Sequence, residues 1–201
     1  IHAQGDIHID GTNRINIEAS NIHSNSGHTA LNSRNLAIQS GREQDIYSDK
    51  FYSKNKDMLS STQTRSHSGH QHDTAVAANI SGKTIGIHAE QDIRVSGSHI
   101  VSEESTQLGA AGNINIAAAQ NRMQNSLSTE TQKSGLTASL SDGVASAGYS
   151  KSRQSLQQSG ASERLALSQI GSLKGNTTLV AGEALDINAG RLNAGGNLIL
   201  Q

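Results

Sequence analysis

The chain has no cysteine, no proline and no tryptophan. Without cysteine there is neither a disulfide framework nor a thiolate metal site. Without proline the bends must be made by other residues, and 20 glycines with abundant serine and asparagine supply them. Aromatics make up 2% of the 201 residues, namely Tyr47, Phe51, Tyr52 and Tyr149. So few, so scattered, give no stacking platform for nucleic-acid bases. Charge of one sign is lacking too. The basic and acidic residues number 16 and 17, a formal net charge of −1, which excludes the electrostatic footprint of a nucleic-acid partner. No apolar run approaches the ~18 residues of a membrane-spanning helix. No signal peptide is visible and the chain starts at Ile1, so a piece of something longer is expected. Ile, Leu, Val and Phe together form about a fifth of the chain, the edge of what folds, but disorder usually needs a large net charge as well.

What is present is periodic. Aliphatic pairs spaced i, i+2 recur at Ile7/Ile9, Ile15/Ile17, Leu36/Ile38, Ile85/Ile87, Ile93/Val95, Ile114/Ile116, Leu185/Ile187 and Leu198/Leu200. That spacing puts both side chains on one face of a short strand. Shifting Ile7, Ile9, Ile15, Ile17, Ile22, Leu36 and Ile38 by one constant offset lands on Ile85, Ile87, Ile93, Val95, Ile100, Ile114 and Ile116. A second constant offset lands on Thr177, Leu179, Leu185, Ile187 and Leu192. Three copies of one unit follow, at roughly 5–46, 83–122 and 175–201. In the third, the anchors Thr177, Leu185, Leu192 and Leu198 describe three short strands and three corners, closing after about 21 residues. In the first two copies the longer last step reads as an eight-residue loop added at one corner, at about 25–32 and 103–110. A competing register stacks Ile15 on Leu36.

The expected fold is therefore all-β: a right-handed parallel β-helix, a three-sided solenoid with coils of about 21 residues and two long inserted hairpin-like segments. Each strand is too short to stand alone, and wrapping buries the aliphatic pairs against the coils above and below. Ile7, Ile15, Ile22, Ile85, Ile93, Ile100, Leu179, Leu185 and Leu192 are expected inside. Asn113, Asn176 and Asn197 each precede an anchor in a Gly-Asn step, as corners require. The whole chain, 1–201, reads as one β-helical repeat segment with inserts at 47–80 and 123–172. In the second insert, alternation at Leu136, Ala138 and Leu140 and again at Val144, Ser146 and Gly148 flanks Asp142-Gly143, a strong hairpin signal. The inserts read as arms, with partner-binding tips as the functional alternative.

The stretch from Gly175 to Leu200, opening Gly-Asn-Thr-Thr-Leu-Val and continuing Ala-Leu-Asp-Ile-Asn-Ala-Gly, resembles the haemagglutinin repeat of filamentous-haemagglutinin-type exoproteins. Gln91 to Ser102 resembles the same repeat, as does the Ser/Gly-rich stretch from Lys133 to Arg153. The resemblance covers essentially the whole chain. It implies a large secreted, cell-surface protein of a Gram-negative bacterium, exported through an outer-membrane transporter. Such proteins serve as adhesins or as contact-dependent growth-inhibition toxins, in which this repeat type is implicated in moving a C-terminal toxin across a target cell's outer membrane. The implied partners are that transporter, a receptor or outer membrane of a target cell, and the remainder of the same long chain. Neither the Asn-Pro-Asn motif of the secretion domain nor the Val-Glu-Asn-Asn boundary before many toxin domains is present, so shaft is expected.

Candidate chemistry is thin. His67-Ser68-Gly69-His70-Gln71-His72-Asp73 places three imidazoles and a carboxylate close enough in sequence for Zn²⁺ or Ni²⁺, or for sensing acid. A solvated loop without groups to orient the rings is the competing reading. Glu90, Asp92, Glu103 and Glu104 are the carboxylates that a polysaccharide-cleaving β-helix would use. Such pairs must face each other about 5–10 Å apart, whereas Glu103 and Glu104 are adjacent on an expected corner. Asp6, Asp92 and Asp186 read as corner residues. The expectation is no catalytic, cofactor or metal site and no enzyme.

Overall fold

In the computed structural model, which describes residues 1–141 and 143–201, the chain forms strands and no helix among the described residues. It divides into two units. The first comprises Ile1–Glu43, Thr74–Asn121 and Arg164–Gln201; the second comprises Gln44–Asp73 and Arg122–Glu163.

The first unit is a 13-stranded sheet whose strands pair in parallel. Three stacks of successive partners run through it. One is Ile7, Thr29, Ile85, Thr106, Thr177, Leu198. The second is Ile15, Leu36, Ile93, Ile114, Leu185. The third is Ile22, Ile80, Ile100, Ile170, Leu192. The chain visits the three stacks in turn and then begins again, so each pass adds one strand to each. Alternation along every strand sends Ile, Leu and Val inward, and Leu31, Ile38, Ile93, Ile100, Leu108, Ile114, Ile116 and Ile170 are wholly buried.

These stacks correct the sequence reading in four places. Leu36 lies on Ile15, so the competing register is the observed one. No loop is added at 25–32 or 103–110: His28–Gln39 and His99–Ala110 are strands, and Thr29 and Thr106 are the missing anchors. The unit counted three times is accordingly two passes long in its first two copies. The chain also rejoins the parallel sheet earlier than expected, at Asn79 and Ser168, and Ile80 and Ile170 within the expected inserts are core. Seven of the nine expected interior residues are buried; Leu185 and Leu192, on the final pass with no strand beyond, are only partly covered.

Threonine serves as an interior anchor because its hydroxyl is satisfied locally. The Thr106 hydroxyl donates to the Gly171 carbonyl at 2.6 Å and shares a 2.8 Å hydrogen bond with Ser102. That of Thr177 donates to the Asn193 carbonyl at 2.7 Å. A paired buried hydroxyl avoids the penalty of an orphan one.

The corners differ in kind. After the second stack, Ala19, Gly97 and Ala189 turn the chain with φ of 44°, 55° and 57°, each two residues beyond an inward aliphatic. On the two intervening passes the same place opens into the strands Gly41–Lys56 and Ala119–Ser141 instead. Before the first stack, backbones nearly touch: a Cβ on Gly175 would collide with the Glu104 carbonyl oxygen, while nothing lies near Gly160 in the second unit. Gly175→Ala is expected to destabilise the fold by about 2–4 kcal/mol and Gly160→Ala by less than about 1, compared by chemical denaturation. Equal losses would remove the close corner from the account.

The second unit is a four-stranded sheet in which the two hairpin-like segments meet. Ser60–Val76 and Ala119–Ser141 are its inner strands, paired antiparallel from Arg122↔Asp73 to Gly135↔Ser60. Gly41–Lys56 and Val144–Ala166 flank them. Of the expected Asp142-Gly143 turn, Asp142 lies outside the described residues and Gly143 has φ 79°.

Candidate interaction surface

All four aromatic residues of the chain fall in the second unit, and all are more than half exposed. Strand alternation divides them between two faces, and cross-strand contacts identify each face. On one, the Tyr47 ring stacks with His70 at 6.5 Å between centroids, and the Tyr47 hydroxyl donates to Asp49 at 2.8 Å. The Asp49 carboxylate beside it pushes the Tyr47 phenol upward from its ordinary pKa. His70 Nδ1 is held by the Asn125 amide oxygen at 2.9 Å, and Ser66 meets Thr129 at 3.1 Å. The same parity places Phe51, Met123 and Leu127 on this face.

The other face carries a line of contacts that crosses the whole sheet. The Arg65 guanidinium lies over the Tyr52 ring at 5.8 Å; Arg65 is the direct register partner of Glu130; and Glu130 accepts from Arg153 at 2.6 Å. The Arg153 hydrogen bond, helped by one from Gln132, holds the Glu130 carboxyl below the usual glutamate range. Lys50 and Lys54 follow Tyr52's parity and share this face, as does His67 with Arg65. An open depression of about 390 Å³ is lined here by Lys50, Phe51, Tyr52, Arg65, Ser66, His67, Ser128 and Glu130.

The residues singled out in the sequence are not gathered into one site. Alternation sends His67 to the basic face and His70 and His72 to the aromatic one, so the three imidazoles do not converge. Among the described residues no group of three His, Cys, Asp or Glu could hold a metal ion. In the first unit, Glu103 accepts from Lys174 at 2.5 Å, which keeps its carboxyl below the ordinary range, while Glu104 faces Lys83 at 3.4 Å. Glu90 lies 3.7 Å from Arg34. Each carboxylate is tied to its own cation rather than to another carboxylate. Asp92 accepts from the Asn113 backbone N–H at 2.9 Å and its side-chain amide at 3.1 Å, and these two bonds hold its carboxyl low. Asp6 accepts from the His28 N–H at 2.7 Å in the same manner. Asp186 instead sits mid-strand opposite Asn115. The line Tyr52–Arg65–Glu130–Arg153 escaped the sequence reading. Lys50, Tyr52 and Lys54 were legible as one strand face, but nothing local announces that residue 65 pairs with residue 130.

Residues 59–201 match the family model described as Hemagglutinin repeat, and the chain belongs to that family. It is similar to the tRNA nuclease CdiA-2 of Burkholderia pseudomallei strain 1026b, 29% identical over 153 residues covering 76% of this chain and 5% of that protein. It is also similar to the tRNA nuclease CdiA of Escherichia coli strain STEC_O31, 26% identical over 163 residues, 81% of this chain and 5% of that one. The 16S rRNA endonuclease CdiA of Enterobacter cloacae subsp. cloacae is 32% identical over 108 residues, 54% of this chain and 3% of that protein. The chain thus spans only a small fraction of the length of the curated relatives it matches. No solved structure matches it.

Proposed function

We propose that this chain is a length of stiff shaft in a large secreted exoprotein of the contact-dependent growth-inhibition type, displayed at the surface of a Gram-negative bacterium. In this reading the three stacks are the faces of a right-handed, three-sided parallel β-helix with coils of about 21 residues. The observation that carries it is the continuity of the stacks, with aliphatic or threonine anchors on every pass, in a chain of the hemagglutinin-repeat family. Export through an outer-membrane transporter and delivery of a toxin into a neighbouring cell belong to the same proposal. So does the absence of catalysis in this segment: the nuclease activity named for the relatives would reside in other parts of those much longer chains.

The test is a co-culture assay with the parent exoprotein. Deleting 1–201 is expected to leave surface display intact and bring inhibition of target cells to background. Replacing the segment by an unrelated parallel β-helix with the same number of passes should restore inhibition if the segment acts as shaft. Undiminished inhibition after deletion would overturn the proposal, and failure of the replacement would favour a segment that binds its receptor directly.

A further inference from the structure

We infer that the aromatic face of the second unit is an interface, covered in solution by the same face of a second copy of this chain, so that two four-stranded sheets stack as a sandwich. This goes beyond the shaft reading and does not depend on it. The two faces differ in charge. Among the described strand residues of this unit, only Asp45, Asp49 and Lys133 bring a carboxylate or an amine to the aromatic face. Asp45 and Asp49 lie on an outermost strand and Lys133 near the end of its pairing, so all three fall at the rim. The opposite face carries charge on every strand, Lys50, Arg65, Glu130 and Arg153 among them. A strand that keeps charge off one face only is patterned for cover on that face. The polar groups there are already paired with one another: Ser66 with Thr129 at 3.1 Å, His70 with Asn125 at 2.9 Å and Tyr47 with Asp49 at 2.8 Å. Groups satisfied in this way lose little when water is removed. What remains without cover is apolar. Tyr47, Phe51, Met123, Leu127 and Leu156 share the face by strand alternation, and none is less than 36% exposed.

The occupant follows from size and shape. The inner strands pair over 14 residues. At about 3.4 Å per residue, with four strands about 4.8 Å apart, the face covers about 900 Å². Two such faces together bury about 1,800 Å², the size of a stable two-protein interface. A twisted sheet stacks on one of equal twist, aligned within about 30° and about 10 Å away, and a second copy supplies that twist. It also brings a face equally poor in charge, with its few charges at the rim, where an interface tolerates them. A bilayer suits the face poorly, because Ser66, Ser68, Asn125 and Thr129 would carry hydroxyls and an amide into hydrocarbon.

Sedimentation velocity of the full chain between about 1 and about 100 µM tests this, with a reversible dimer of Kd near about 10 µM expected. Phe51→Ser and Leu127→Ser should each weaken the dimer about tenfold, and Lys50→Ser and Lys54→Ser, on the other face, should leave it unchanged. All four side chains are exposed, and circular dichroism of each variant checks that the fold persists. Flotation with vesicles of phosphatidylethanolamine and phosphatidylglycerol tests the bilayer as occupant, and no flotation is expected. The inference is overturned by a monomer at the highest concentration, by a dimer that neither Phe51→Ser nor Leu127→Ser weakens, or by a loss at Lys50→Ser or Lys54→Ser as large as at Leu127→Ser. A monomer that floats with the vesicles and ceases to do so on Leu127→Ser would assign the face to lipid instead.

Discussion

Ile93→Asp is expected to destabilise the parallel sheet by about 4 kcal/mol or more, enough to unfold a domain of ordinary stability. Ile93 is fully buried and sits in its stack between Leu36 and Ile114. An ionised carboxylate there would have no partner, and a protonated one would still lack an acceptor for its proton among aliphatic side chains. The control is Ile187→Asp. Ile187 belongs to the neighbouring stack of Ile38, Val95 and Ile116 but is 37% exposed on the final pass, so a carboxylate there stays hydrated and the loss should be below about 1 kcal/mol. Urea unfolding followed by circular dichroism measures both. A loss at Ile93 within about half a kcal/mol of the parent would reject the register.

The second large effect concerns the hairpin-like segments. Replacing 44–73 by a short Gly-Ser turn removes the partner of 14 consecutive residues, Arg122 to Gly135. The segment left behind would be a two-stranded ribbon, which is marginal in water. Amide exchange in Arg122–Gly135 is expected to accelerate on the order of a hundredfold. Replacing 122–163 as well should leave exchange in the first unit nearly unchanged, since its stacks draw on Ile22, Ile80, Ile100 and Ile170, outside both cuts. Loop shortening itself changes closure entropy by only about 0.6 kcal/mol per halving. Loss of protection at Ile93 or Ile114 in the doubly shortened chain would mean that the parallel sheet relies on the hairpins.

Hydrophobic spacing made much of the parallel sheet legible, because an aliphatic at i and i+2 has few alternatives to a half-buried strand. It failed at Thr29 and Thr106, each fully or almost fully buried, and held at Thr177, whose place in the repeat marked it as an anchor. A threonine in sequence looks like a surface or loop residue, and it takes a carbonyl such as that of Gly171, 65 residues away, to make Thr106 acceptable inside. The two-pass repeat and its imagined loops were the result. The second unit was less legible for a different reason. Its strands alternate serine, threonine and glutamine with scattered apolar groups, so pairing depends on backbone complementarity between distant segments. Strand alternation separates His67 from His70 and His72, but a polar Ser/Thr/His stretch carries no apolar alternation to mark it as a strand.

The two kinds of corner make this chain editable at one place and closed at another. After the second stack, one position accepts either a left-handed turn at Ala19, Gly97 or Ala189 or an excursion of tens of residues, with no change in the partners that follow. The opposite holds where Gly175 lies against the backbone of Glu104: even a methyl group has no room. Length variation among chains built this way should therefore collect at the permissive corner, as a socket into which different hairpins are fitted while the repeat count continues undisturbed. New surface chemistry can then be acquired by exchanging what occupies the socket, without renegotiating the interior.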